Sequence, residues 1–190
     1  MKIKIGTLMC IIVLFSACQD YLPKPHAYPR VVYPIKEYMQ TISDCPFTFE
    51  TPVYSKLVPY GSENNCWYNL EYTPFDATLH LSYVPINSTA DLDSLAEDAY
   101  RMVFKPHLQR AEEIIEREIS DSTTGLFGMI YDLEGKTATP FNFYITDGKE
   151  NFFRGSFYFN KNTKRDSVLP IYHFLNEDIM RSIVTFRFKE

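Results

Sequence analysis

"TPFNFYITDGKENFFRGSFYFN", residues 139–160, places apolar side chains at alternate positions on either side of a polar break. Phe141, Phe143 and Ile145 share one face of an extended chain. Asp147-Gly148, inside "DGKEN", signals a turn somewhat longer than two residues. "FFRGSFYFN" then returns the chain, with Arg154, Ser156 and Tyr158 on one face. The stretch predicts an antiparallel hairpin, and the segments around it extend the sheet. Upstream, "GLFGMIYDL" (125–133) runs into an "EGK" turn. "TLHLSYV" (78–84) alternates, with Leu79, Leu81 and Tyr83 inward and His80 and Ser82 outward. "CWYNLEY" (66–72) puts Tyr68, Leu70 and Tyr72 on one face, and "PFTFETPVYSKL" (46–57) reads as a short aromatic strand whose prolines place it at an edge.

Two segments carry helical spacing instead. Asp91 opens the first, with Leu92, Leu95, Ala99, Met102 and Val103 on its stripe, and Pro106 kinks or breaks it. The pattern resumes through Leu108, Ala111, Ile114, Ile115 and Ile119 until "SDSTTG" (120–125) ends it. On that reading Glu112, Glu113, Glu116 and Glu118 form a solvated helix face. A final helix spans about 168–183, with Ile171, Phe174, Leu175, Ile179 and Ile183 on one stripe and Asp166 or Ser167 as its cap. "VTFRF" (184–188) closes the chain as a strand. Strands, helix, strands, helix predicts an α+β single domain over 37–190, an antiparallel sheet with helices packed on it. The order matches the broad shape of photosystem accessory subunits (PsbP-like) and Mog1-like proteins, an analogy of shape that carries no function.

The 190 residues suit one domain plus attachments, and 45% apolar with 23% charged residues is the balance of a folded chain. Residues 1–17 read as a secretory signal: Lys2 and Lys4, an apolar run from Leu8 to Phe15, then the small residues Ser16 and Ala17. The run is shorter than the roughly 20 residues a membrane helix needs. Directly after it stands Cys18, the arrangement of a bacterial lipobox, with Phe15 where an aliphatic residue is usual. Cys18 is the expected lipidation site. Residues 18–36 follow as an extended arm, set by Pro23, Pro25, Pro29 and Pro34. Its Tyr21, Tyr28 and Tyr33 pack either on the domain or on a partner.

The signal removes two of 19 basic residues and no acidic ones, leaving 17 against 24, a net charge of −7. With no basic stripe, neither nucleic acid nor an anionic lipid surface is an expected partner, and lipid on Cys18 must anchor the protein. Cys10 leaves with the signal, so Cys45 and Cys66 remain as one pair in an oxidising compartment. A disulfide between them is expected; free buried thiols or half a metal site are the alternatives. His26, His80, His107 and His173 are dispersed. No HExxH, GxSxG or Gly-rich phosphate loop appears, and neither catalytic residue, metal nor cofactor is expected. Arg154 stands out as a charge in mid-strand. It either pairs with an acid, Asp147 being one candidate, or faces a partner from a docking patch of Asp147, Arg154 and Tyr158.

"DYLPKPHAYPRVVYP" (20–34) behind a lipobox, the hairpin at 139–160 and "DSVLPIYHFLNEDI" (166–179) together resemble the GldD-type gliding-motility lipoproteins of Bacteroidetes. Gly148 and Asn151 stand where that family's pattern has Ser and His. The resemblance implies a non-enzymatic assembly or scaffold lipoprotein of the cell envelope, on the periplasmic or outer side. It would work among the gliding proteins, close to the type IX secretion system. A ligand-binding lipoprotein is the alternative, and an envelope enzyme the third. The phylum implies O-glycans at Asp-Ser/Thr-apolar or Thr triplets. Asp121-Ser122-Thr123, Asp166-Ser167-Val168 and Asp93-Ser94-Leu95 fit, with Ser122 the leading candidate.

Overall fold

The structure is a computed structural model, and it describes residues 30–61, 66–135, 137–161 and 165–189. The signal 1–17, Cys18, Tyr21, Tyr28 and the arm through residue 29 lie outside the described residues. The hairpin is formed by β9 (Phe141–Thr146) and β10 (Asn151–Phe159), paired antiparallel with Phe143 opposite Gly155. Around it the strands are β4 (Lys56–Pro59), β5 (Trp67–Tyr72), β6 (Ala77–Pro85), β7 (Ala111–Asp121) and β8 (Leu126–Gly135). They form one 7-stranded sheet in the order β4-β5-β6-β10-β9-β8-β7, antiparallel at every pairing. The chain builds β4 to β6 as a meander. It then crosses through helix α1 (Thr89–His107) to the far edge at β7, and works back inward until β10 pairs with β6. The α+β reading of the sequence holds: a single domain, mostly antiparallel sheet, with two helices on it.

Strand alternation gives the sheet two faces. Leu70, Leu79, Leu81, Phe141, Phe143, Ile145, Phe153 and Phe157 point to one, where they pack on helix α2 (Arg165–Val184) through Leu175, Ile179 and Ile183. Phe186, just beyond α2, joins the same core. On the opposite face α1 lays Leu95 and Ala99 over Phe152 and Tyr144, and Val103 over Tyr131 and Leu133. Two short ribbons complete the α2 side: β1 (Tyr38–Gln40) with β3 (Glu50–Pro52), and β2 (Phe47–Thr48) with β11 (Arg187–Phe188). The "VTFRF" strand is therefore present, though short. The "PFTFETPVYSKL" stretch divides into β2, β3 and β4.

Three local expectations are corrected. The helical pattern does not resume after Pro106. α1 ends at His107, Leu108 is exposed, and residues 111–121 are the edge strand β7 paired along β8. Spacing alone favoured the helix. However, Ile114 and Ile119 serve opposite faces, Ile114 toward α1 and Ile119 toward the α2 core. β8 also needs a strand partner, and helix propensity is too weak to resist that. The four glutamates are then exposed residues of a strand edge, charges of the kind that discourage edge-to-edge pairing. Second, Ser88 rather than Asp91 caps α1, its hydroxyl accepting from the Asp91 N–H at 3.2 Å, while the Asp91 carboxylate accepts from the Asn87 N–H. Third, α2 begins at Arg165, so Asp166 and Ser167 lie inside its first turn.

Cys45 and Cys66 are disulfide-bonded, with Cα atoms 5.6 Å apart. The bond ties the segment before β2 to the start of β5. Replacing both cysteines by alanine is expected to cost about 3 kcal/mol on the loop-entropy scale. Urea unfolding of oxidised wild type against the double variant measures it, and an unchanged midpoint would refute the expectation.

Candidate functional site

α1 covers its sheet face over β8, β9 and the start of β10, where Phe152 lies beneath Leu95 and Ala99 and Met102 reaches Arg154. Past Arg154, over β5, β6 and the rest of β10, that face stays open, and strand register lays it out in rungs. Trp67, Ser82 and Arg154 form one rung, Asn69, His80 and Ser156 the next, and Glu71, Thr78 and Tyr158 the third. Alternation in "LHLSY" and "RGSFY" thus sends these polar and aromatic groups away from the α2 core as directly as it sends leucine and phenylalanine into it. Trp67 is 39% exposed and Tyr60, just past β4, is 53% exposed.

Arg154 sits half-buried at the border between the open face and α1. Its Nε donates to Ser82 Oγ at 2.9 Å and its Nη1 to the Met102 thioether at 3.1 Å. Among the described residues no carboxylate pairs with it. Burial lowers the pKa of the guanidinium, against a smaller opposing pull from Asp98. Beside it, Gly155 has a structural task. The Phe143 ring lies over it so closely that a Cβ would stand 2.3 Å from the ring.

The Arg154–Asp147 ion pair, one candidate on the first of the two readings, is not formed. Asp147 is occupied in its own turn, where one carboxylate oxygen accepts the backbone N–H groups of Lys149, Glu150 and Asn151 at 2.9–3.0 Å. The other accepts from the Asn151 side-chain amide at 2.6 Å. Burial pushes the Asp147 pKa up, but these donors outweigh it and the net shift is downward. The two positions at variance with the family pattern both serve this tip: Asn151 supplies that amide, and Gly148 adopts a positive φ of 70°. Tyr158 does share the Arg154 face. Its hydroxyl contacts His80 Nε2, the two rings stand 4.7 Å apart, and Tyr60 meets His80 edge-on at 5.5 Å.

Burial lowers the His80 pKa below its ordinary 6.5. The unfolded chain therefore takes up a proton there before the folded chain does. Stability is expected to be level above pH 6.5 on this account and to fall as pH drops through the folded-state pKa. His80→Gln should flatten that part of a stability-versus-pH curve measured between pH 7 and 5; an identical slope in the variant would refute it.

A second polar cluster went unread in the sequence. Asp178, on α2, has a side chain with no solvent exposure. It accepts from Lys36 Nζ at 3.0 Å and from the Tyr38 hydroxyl at 2.7 Å on one oxygen, and from the Tyr54 hydroxyl on the other. Lys36 also donates to the Phe174 carbonyl, pairs with Glu177 and lies 4.2 Å over the Phe174 ring. Burial and then the bond to Asp178 raise the pKa of both tyrosines, so they remain protonated donors. Tyr33 packs nearby, 4.7 Å from the Phe174 ring. The end of the arm is thereby clasped to α2. The legible signal was an acid at a core position of an amphipathic stripe, between Leu175 and Ile179.

Among the described residues no three His, Cys, Asp or Glu side chains gather as a metal site, and no helix is long and apolar enough to cross a membrane. His107 is buried, with Nδ1 against the Val103 carbonyl and Nε2 near Thr139, while His173 is exposed on α2. Two cavities among the described residues, one in the α2 core beside Phe153 and Phe186 and one between α1 and Arg154, hold about 10 Å³ each, room for one water at most. Ser122 is exposed in the β7–β8 turn, Ser94 on α1 and Ser167 on α2. In that turn Asp121 accepts from Thr123 and Thr124, which holds its pKa down at about 2.

A search of curated proteins finds no match to the chain. A family model described as gliding motility lipoprotein GldD matches residues 18–188, beginning on Cys18 itself. Its span takes in the arm, the hairpin, the Arg154 face and the Asp178 clasp, and the chain belongs to the GldD family of gliding motility lipoproteins.

Proposed function

We propose that the protein is a non-enzymatic assembly lipoprotein of the gliding apparatus, working beside the type IX secretion system. Lipid on Cys18 holds it to a membrane, the proline-rich arm carries the domain clear of the surface, and the open β5–β6–β10 face docks a neighbouring envelope protein. The observation that carries this reading is Arg154, a half-buried guanidinium that meets no carboxylate among the described residues, on a face of exposed tyrosine and tryptophan. Leaving such a charge unpaired is costly inside a fold and useful at an interface. The cavity beside Arg154 is water-sized, which favours a docking face there over a ligand pocket, since small-molecule sites usually enclose about 300 Å³ or more. Ser122 is proposed as an O-glycan acceptor; an intact mass from the native host equal to the bare lipoprotein would end that part.

The test is a clean deletion in the native host, scored together for colony spreading and for exported proteins. Loss of both is the expected result, and loss of neither would overturn the reading. Complementation separates the parts. Cys18→Ala is expected to leave the protein soluble and spreading unrestored. Arg154→Ala is expected to leave it membrane-bound at wild-type abundance but still non-spreading.

A further inference from the structure

The residues that surround Arg154 define what must approach it. A guanidinium carries five N–H donors in a rigid planar fork, and Ser82 with the Met102 thioether engages two of them. Among the described residues, Lys36 pairs with Glu177 and Asp178, Arg101 with Asp98, Arg117 with Asp132, Lys161 with Asp76 and Arg181 with Glu50, and basic residues without an acid, such as Lys56, Lys105, Arg110 and Arg187, are exposed. Arg101 and Arg181 are more than a third exposed and would tolerate solitude in water. Arg154, more deeply placed, has no such pair among the described residues. Exposed Trp67 lies two strands away on the same rung, and Tyr60 leans on His80 one rung further along. Tryptophan, tyrosine and arginine are the residue types that dominate the energetic centres of protein interfaces.

Resting on the docking role above, we propose that the occupant of this face is a protein segment presenting an Asp or Glu carboxylate to Arg154, with an apolar side chain laid across Trp67 and Tyr60. Covering the face strips the remaining water from the guanidinium, and only an opposite charge with matching geometry offsets that loss. A carboxylate meets the fork with two parallel bonds, which also fixes the register of the segment. The sheet face itself offers no acid at that rung: Glu71, on the same face, is two rungs away beside Thr78 and Tyr158. Asp98 of α1, which pulls on Arg154, is engaged by Arg101, so among the described residues no acid is left to meet the fork.

The experiment uses the full-length lipoprotein in its native host, with photoreactive benzoylphenylalanine at position 60, which keeps an aromatic ring there. Ultraviolet cross-linking followed by peptide mapping is expected to capture one protein through a peptide that contains Asp or Glu. Arg154→Gln should lower the yield at least tenfold at an unchanged melting temperature. Arg154→Glu combined with Lys at the partner's acidic position should restore it. If the Gln variant does not fold, Arg154→Lys, which keeps the charge and loses the fork, should still reduce the yield severalfold. Cross-linking and spreading that survive loss of Arg154 at wild-type levels would overturn the docking role and the carboxylate together. Dependence on Arg154 without rescue by charge reversal at any acid of the captured peptide would overturn the carboxylate alone. A captured peptide from the chain itself would make the occupant a second copy and overturn the separate partner.

Discussion

Asp178→Ala is expected to destabilise the domain by about 3–5 kcal/mol, the cost of breaking a buried, hydrogen-bonded charge pair. The substitution removes the acceptor of three groups at once, Lys36 Nζ and the hydroxyls of Tyr38 and Tyr54. Those hydroxyls lose an acceptor in a site that already holds the buried, unpaired Tyr72 hydroxyl. Asp178→Asn keeps one carbonyl oxygen and removes the charge, so it should fall between wild type and Ala. Urea unfolding orders the three proteins. Limited trypsin digestion supplies a second readout, because Lys36 is pinned at Nζ by Asp178, Glu177 and the Phe174 carbonyl. Cleavage after Lys36 should become fast in Asp178→Ala and stay slow in wild type. Equal stability of the Ala variant and wild type would mean that the clasp is dispensable.

Phe153→Ala is expected to cost a similar about 3–5 kcal/mol, for a different reason: the loss of burial and the cavity left behind. Phe153 is 1% exposed, and its ring centroid lies 4.8 Å from Phe47, 4.6 Å from Phe186 and 6.0 Å from Phe49. One side chain from the middle of β10 thereby joins the β2 and β3 ribbons and the turn after α2. At about 2–4 °C per kcal/mol for a chain of this size, the melting temperature should fall by roughly 10 °C. Phe153→Leu should recover most of it; a loss below about 1 kcal/mol in the Ala variant would show that the aromatic cluster collapses to fill the gap. Neither substitution touches the Arg154 face, so spreading at permissive temperature should survive both.

Alternation in "TPFNFYIT" and "FFRGSFYFN" was enough to place Phe143 and Phe153 inside and Arg154, Ser156 and Tyr158 together outside, because strand geometry turns successive side chains to opposite faces whatever the neighbours are. Cys45 and Cys66 were pairable by elimination alone. The limits appear where local preference is weak or where the partner is distant in sequence. Ala111–Asp121 carries apolar residues at helical spacing, and only pairing along the edge of β8 overrides that local preference. Asp147 and Arg154 looked like complementary charges across a turn, yet three backbone N–H groups of that turn reach the carboxylate first. Local donors need no long side chain to be ordered, and the arginine loses the competition.

Residue order thus settled the class of fold, the face of each regular strand and the aromatic content of the core, since all of these follow from periodicity and hydrophobicity. Tertiary structure decided the edge strand β7, the partial cover that α1 gives its face, the isolation of Arg154 on what remains open, and the meeting of Lys36 with Asp178 across 142 residues of chain. Each of those depends on which surfaces touch, and contact between distant segments leaves no local pattern in the sequence that makes it.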